Sequence, residues 1–360
     1  MRAGENPPHL AFVEWKRRAL RRLRRPVCVG ARTAQRDAVG CAISLCRKER
    51  VTMIKRVASL LAGTLSVCAV AFAQPAPPGT MSPGEALRAD GDIPGAIAAF
   101  EARYRENPGD QQNTINLARA LSINRRLDDS FKYLAIAVES NPTIAPLVDP
   151  DLVTAREDPR WAAFEDTLIA RINAAPDPAI KDVPFAKALW TLAAWDQAYF
   201  QEVGIAARKT GMKSSVVEAI WKLKFLVQKR NQLELEALVA QKGWPRVGQV
   251  GREAAMAAYL VVMHSNDGLQ RRYLDTIKTI CEAGELPWVR YANMVDRSRF
   301  NDNLPQRYGT HTRYNEQTKS EELYPLEDES KVNEWRKEVG LPSLQEALKP
   351  LNLTFEPKKE

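Results

Sequence analysis

The chain is poor in the residues that carry most metal and nucleophile chemistry. Its 360 residues include five cysteines and three histidines. Four of those cysteines (Cys28, Cys41, Cys46 and Cys68) and His9 precede residue 74, so the rest of the chain holds only Cys281, His264 and His311. A single thiol cannot form an intramolecular disulfide, and it excludes a zinc site built on paired cysteines. There is no His-Glu-x-x-His, no Gly-x-Ser-x-Gly elbow and no phosphate-binding glycine-rich loop, which removes three common classes of hydrolase and nucleotide-binding protein. Alternation of apolar and polar residues persists nowhere, so strands are not expected.

Positive charge is confined to one end. The whole chain has 52 Lys plus Arg against 44 Asp plus Glu, a formal net charge of +8. Residues 1–52 hold 13 basic and 4 acidic side chains, whereas residues 74–360 hold 37 and 40. The body of the protein is therefore mildly acidic, and nucleic acid is not an expected partner.

One long uncharged apolar run is present, at residues 57–73, after Lys55-Arg56 and ending in Ala71-Phe72-Ala73. Charge, apolar run and small-x-small site in that order form a bacterial secretory signal at residues 53–73, with cleavage after Ala73. The protein is accordingly expected in the periplasm or outside the cell. The run is short against the roughly 20 residues of a membrane helix, so no stable span is expected after cleavage. An uncleaved anchor is the alternative, and a lipid anchor on Cys68 is disfavoured by Val67. Residues 1–52, with Lys16-Arg17-Arg18 and Arg21-Arg22, read as a disordered or non-native basic leader upstream of a start at Met53.

After a Pro-rich linker at residues 74–83, a period of 34 residues sets in. It relates Ala96 to Ser130, Ile97 to Phe131, Phe100 to Leu134 and Pro108 to Pro142. Small residues at close helix contacts (Gly84, Ala118, Ala137) and a closing proline at this period resemble the tetratricopeptide repeat. Residues 84–142 read as two repeats and residues 143–175 as a degenerate third, its first helix broken by Pro146, Pro150 and Pro159. The resemblance implies either a concave groove for a protein or peptide partner or a packing buttress.

From Pro184 the texture is of long helices. Phe185, Leu189, Leu192 and Tyr199 share one face of the first, and Val216, Ile220, Leu223 and Val227 share an apolar face of the second. Residues 251–264 are apolar nearly all round, which predicts a central buried helix. Helices follow near 267–282, 287–298 and 330–339. The fold class is all-α: tetratricopeptide-like hairpins packed on a second helical domain at residues 184–355. Cys281 reads as a lone structural thiol, and Trp288 with Tyr291 as core packing.

The unusual polar residues cluster in that second domain. Asp196 falls on the apolar face of its helix, and His264 lies one turn beyond Leu260. An inward carboxylate costs several kcal/mol unless it is paired. Asp267, Asp296-Arg297 and Gln306-Arg307 complete the set. Gly243-Trp244-Pro245, His264-Ser265, Asp296-Arg297 and Gln306-Arg307-Tyr308-Gly309-Thr310 together resemble a bacterial family known only as a domain of unknown function, which occurs alone or behind tetratricopeptide repeats in secreted proteins. His311 departs from it, since the resemblance implies a second glutamine there.

Three readings of the polar set stand. In an enzyme or ligand site, His264 is the acid–base, Asp267 or Asp296 orients it, and Arg297 or Arg307 binds an anionic group. In a metal site, His264 joins Asp267, Asp296 and either Asp196 or His311. In a structural network, arginine–carboxylate pairs satisfy buried charge and Tyr308-Gly309 fixes a turn. The primary functional expectation is an interaction or scaffolding role in the bacterial envelope through residues 84–142. The alternative is an enzyme or small-ligand protein using His264, Asp296 and Arg307, with or without a metal. No cofactor is specified.

Overall fold

The computed structural model describes residues 81–139, 141–174, 180–315, 317–318 and 320–356. The basic leader, the signal segment and residues 74–80 of the linker lie outside them. The first helix, α1 (Pro83–Asp90), starts inside the stretch read as linker, because Ser82 and Glu85 form a reciprocal capping box. It is followed by α2 (Ile93–Glu106), α3 (Gln111–Ile123) and α4 (Leu127–Glu139). These form two helical hairpins, and α2 and α4 begin 34 residues apart. Gly84 is required where α1 crosses α2, since a Cβ there would lie 2.4 Å from the Phe100 ring.

After the two hairpins comes one full helix, α7 (Arg160–Asn173), preceded by a broken stretch. That stretch holds α5 (Ala145–Val148), a 3-10 turn at Pro150–Leu152 and α6 (Val153–Arg156). Pro146 and Pro150 each take an N-terminal position of their short element, where a missing N–H costs nothing but continuation of a preceding helix is blocked.

The second half contains α8 (Val183–Gln197), α9 (Phe200–Thr210), α10 (Ser215–Lys242), α11 (Val247–Val250), α12 (Arg252–Met263), α13 (Asp267–Glu282) and α14 (Trp288–Asn301). Helix α12 is the buried centre, with Ala254, Ala257 and every residue from Ala258 to Met263 inside. It packs along α8, which in turn packs on α5 and the 3-10 turn. The hydrophobic core is continuous from Leu134, Leu147 and Trp161 through Phe185 and Leu189 to Val261 and Ile277. The fold is all-α in character, and among the described residues no helix is long and apolar enough to cross a membrane.

Two expectations are corrected. A short antiparallel hairpin, β1 (Thr312–Asn315) with β2 (Ser320–Leu323), occupies the polar stretch after residue 300. Its four-residue strands carry Arg313, Glu321 and Glu322, so no apolar alternation announces it. Two short helices follow, α15 (Val332–Glu338) and α16 (Leu344–Leu348). The apolar face of α10 is only half inward. Val216 and Leu223 are exposed and Ile220 and Val227 half-buried, while Val217, Lys224, Asn231 and Leu235 face the core.

Candidate functional site

The polar residues singled out in the sequence separate into distinct settings. Asp196 stands near the end of α8, and His264 follows the last residue of α12. The two helices lie side by side, so their carboxy-terminal ends bring these side chains together. His264 Nδ1 is 2.6 Å from Asp196 Oδ2. A carboxylate only accepts, so Nδ1 carries the proton and the lone pair of the neutral ring is on Nε2. Gln197 Nε2 donates to the same Oδ2 at 2.7 Å, and among the described residues no donor reaches Oδ1. The Asp196 side chain is 1% exposed and that of His264 12%, so solvent meets the imidazole while the carboxylate stays behind it.

Beneath the pair sits a residue that the sequence reading missed. Lys224 of α10 is buried, and its Nζ donates to the carbonyls of Asp196 (3.2 Å) and Ala198 (2.8 Å). Those are carbonyls at a helix C-terminus, where unpaired oxygens and the helix dipole favour a cation. The ammonium also lies 3.3 Å from the centroid of the Phe200 ring, and that ring is 5.7 Å from the His264 ring. Burial lowers the Lys224 pKa to about 8, with the charges of Asp196 and Glu202 opposing the shift. The signal for Lys224 lay in its spacing: it is seven residues from both Val217 and Asn231 on the inward stripe. Tyr199, between Ala198 and Phe200, has φ of +70°, which turns the chain sharply enough for Phe200 to start α9 against the site.

Asp296 is placed elsewhere, on α14 and fully buried. Its carboxylate accepts from the N–H groups of Arg307 (2.7 Å), Tyr308 (2.9 Å) and Thr310 (3.0 Å) and from Thr310 Oγ1 (2.9 Å). Burial holds its pKa above the ordinary range against those four bonds. Gln306, also buried, spans the same loop, with Nε2 donating to the carbonyls of His311 and Tyr324 and Oε1 accepting the His311 N–H. Arg336 donates to the carbonyls of Tyr308 and Pro342. Gly309, with φ of +68°, closes the turn against Leu344, where a Cβ would lie 2.8 Å from Leu344 Cδ1. This is a loop held to α14 by side chains. The carboxylate meets backbone N–H groups, where arginine partners had been expected.

Neither Asp267 nor Asp296 is the partner of His264 Nδ1. Asp267, at the start of α13, accepts from Asn301 Nδ2. The Arg307 guanidinium lies over the Trp335 ring at 4.4 Å. His311 is buried, bonded to Thr310 Oγ1 at 2.9 Å and stacked on Phe300, and burial with the Arg297 charge pulls its pKa down to about 4. Among the described residues no group of three or more His, Cys, Asp and Glu converges as a metal site would require. Cys281 is buried and its pKa pushed up to about 11, which suits an inert thiol.

Several polar side chains of the two hairpins are paired within the chain. Arg88 of α1 pairs with Asp151 at 2.8 Å and with Glu202 of α9 at 2.9 Å. Arg119 of α3 pairs with Asp149, and Asn116 donates to Glu85.

A helical domain carrying a buried carboxylate–imidazole pair is thus the class that the structure defines. Residues 185–358 match a family described as "Family of unknown function (DUF6624)", so the chain carries a domain of unknown function over α8 and everything after it. No curated protein and no solved structure matches the chain.

Proposed function

We propose that the domain at residues 185–358 is an acid–base catalyst acting on a small polar substrate. His264 is the proton-transfer residue, Asp196 orients its ring, and Lys224 fixes the end of α8 that carries Asp196. The observation that carries this reading is the 2.6 Å contact between a buried carboxylate and the imidazole in front of it. Such a pair sets the tautomer and stabilises the imidazolium formed when Nε2 takes a proton. Ser265 Oγ donates to the Val262 carbonyl at 2.6 Å, and in this proposal the proton comes from the substrate or from a water molecule.

In the same proposal, residues 84–175 are tetratricopeptide-like repeats serving as a buttress. Their inward polar side chains hold Asp149, Asp151 and Glu202, which supports packing over capture of a peptide in that groove. The protein would work after export, on the strength of the signal pattern at residues 53–73.

A panel of chromogenic esters, phosphate esters and glycosides tests the catalytic reading. Turnover of at least one class is expected, falling about 100-fold or more in His264→Ala, a typical acid–base contribution, with unchanged far-UV dichroism. Turnover that survives His264→Ala, or no turnover across the panel, overturns it.

A further inference from the structure

Helix α10 has a second, outward stripe. Its inward side is taken by Val217, Lys224, Asn231 and Leu235. On the other side Ala219, Leu226, Leu233 and Ala240 follow one another every seven residues, and Leu226 and Leu233 are 55% and 62% exposed. Val216 and Leu223 flank them and are exposed as well. Among the described residues no other helix exposes as many large apolar side chains. Apolar residues seven apart fill one of the two seam positions of each heptad in a left-handed two-helix pairing, and Val216 and Leu223 fill the other over the first half of the stripe. From Ala219 to Ala240 the stripe runs about 32 Å along α10.

We propose that two copies of the chain pair antiparallel through this outward face of α10. The order along the stripe is small, large, large, small, and it reads the same from either end. Reversal therefore sets Ala219 against Ala240 of the other copy, and Leu226 against Leu233. Charge follows the same symmetry. Lys222 lies between Ala219 and Leu226, and Glu236 lies between Leu233 and Ala240. Antiparallel pairing brings each Lys222 to the Glu236 of the other copy, twice in the dimer. A parallel in-register pairing would put the Lys222 and Glu236 of the two copies on opposite flanks of the seam, out of reach of one another.

Lys222 and Glu236 have in-chain partners, Glu218 and Arg272, but all four positions are at least partly open to solvent, where such pairs contribute little. Lys229 falls near the twofold axis, where two ammonium groups repel, and their long stems splay outward. An anionic lipid surface fits this face less well, because the acidic half, with Glu234 and Glu236, would be repelled by it.

Sedimentation equilibrium of the purified chain tests the pairing, with dimers expected across micromolar concentrations. Leu226→Lys with Leu233→Lys should give a folded monomer, since both side chains face water in the single chain. Lys222→Glu and Glu236→Lys should each raise the dissociation constant roughly tenfold, about 1.4 kcal/mol, and the two combined should restore it. Lys229→Leu should tighten the dimer. A wild-type chain that stays monomeric, or a dimer that the double lysine variant leaves intact, overturns the proposal. A monomer that instead sediments with phosphatidylglycerol vesicles assigns the face to lipid and overturns it equally.

Discussion

The Lys224 ammonium sits on the face of the Phe200 ring, 3.3 Å from its centroid, while donating to two carbonyls at the end of α8. The interaction is unusual because the lysine is buried and has given up nearly all hydration. Lys224→Met keeps the volume and removes the donors, leaving the Asp196 and Ala198 carbonyls unsatisfied. A loss of about 1–3 kcal/mol is expected in chemical denaturation near neutral pH, the usual cost of an orphaned buried polar group. The folded amine has its pKa near 8, below the ordinary 10.5, so the unfolded chain binds the extra proton between those values. Wild-type stability should therefore rise relative to Lys224→Met as pH goes from 8 to 10.5.

The Asp196–His264 contact has a spectroscopic signature independent of any substrate. A 2.6 Å bond to a buried carboxylate should place the Nδ1 proton far downfield in the proton spectrum of the folded chain. Asp196→Ala should remove that resonance while leaving the amide spectrum of α12 largely unchanged. Survival of the resonance would show that another acceptor holds Nδ1.

Asp296→Asn should act on stability. Its carboxylate takes four donors, and an amide presents two donors of its own to a site lined with N–H groups. Leaving a buried donor of that set unsatisfied costs about 1–3 kcal/mol. A fall of that size in urea denaturation, together with faster amide exchange at Arg307, Tyr308 and Thr310, is the expected outcome.

His311 supplies a pH dependence with a definite sign. Its folded pKa of about 4 lies below the ordinary 6.5 because the ring is buried beside Arg297. The unfolded chain binds the proton first as pH falls, so stability is lost between about 6.5 and 4 and changes little from this group below that. The full shift corresponds to about 3 kcal/mol. His311→Gln should flatten the difference over that window in denaturation curves at pH 7, 5.5 and 4.

Much of the architecture was legible because it rests on periodicity. The 34-residue period pairs positions on α2 with positions on α4, helices that begin 34 residues apart, and the prolines at 146 and 150 announced the broken helix between α4 and α7. The all-round apolar run at 251–264 correctly placed α12 at the centre. Pattern failed where two stripes compete on one helix. On α10 the stronger apolar stripe includes Val216 and Leu223, yet the core takes the stripe containing Lys224 and Asn231, because those side chains satisfy carbonyls of α8. The pairing of His264 was hidden for a different reason. Asp267 is close in sequence and Asp196 is 68 residues away, and only the side-by-side packing of α8 and α12 decides between them.

The unbroken core gives the family boundary near residue 185 a physical meaning of its own. The family match begins there, but the core does not stop, since Phe185, Ala186 and Leu189 pack in one cluster with Leu147, Leu152 and Trp161 on the other side. A chain cut to begin at residue 185 would bare the α8 side chains that now meet those three. The stretch that the family match covers and the stretch that shares one core are, in this molecule, different lengths of chain.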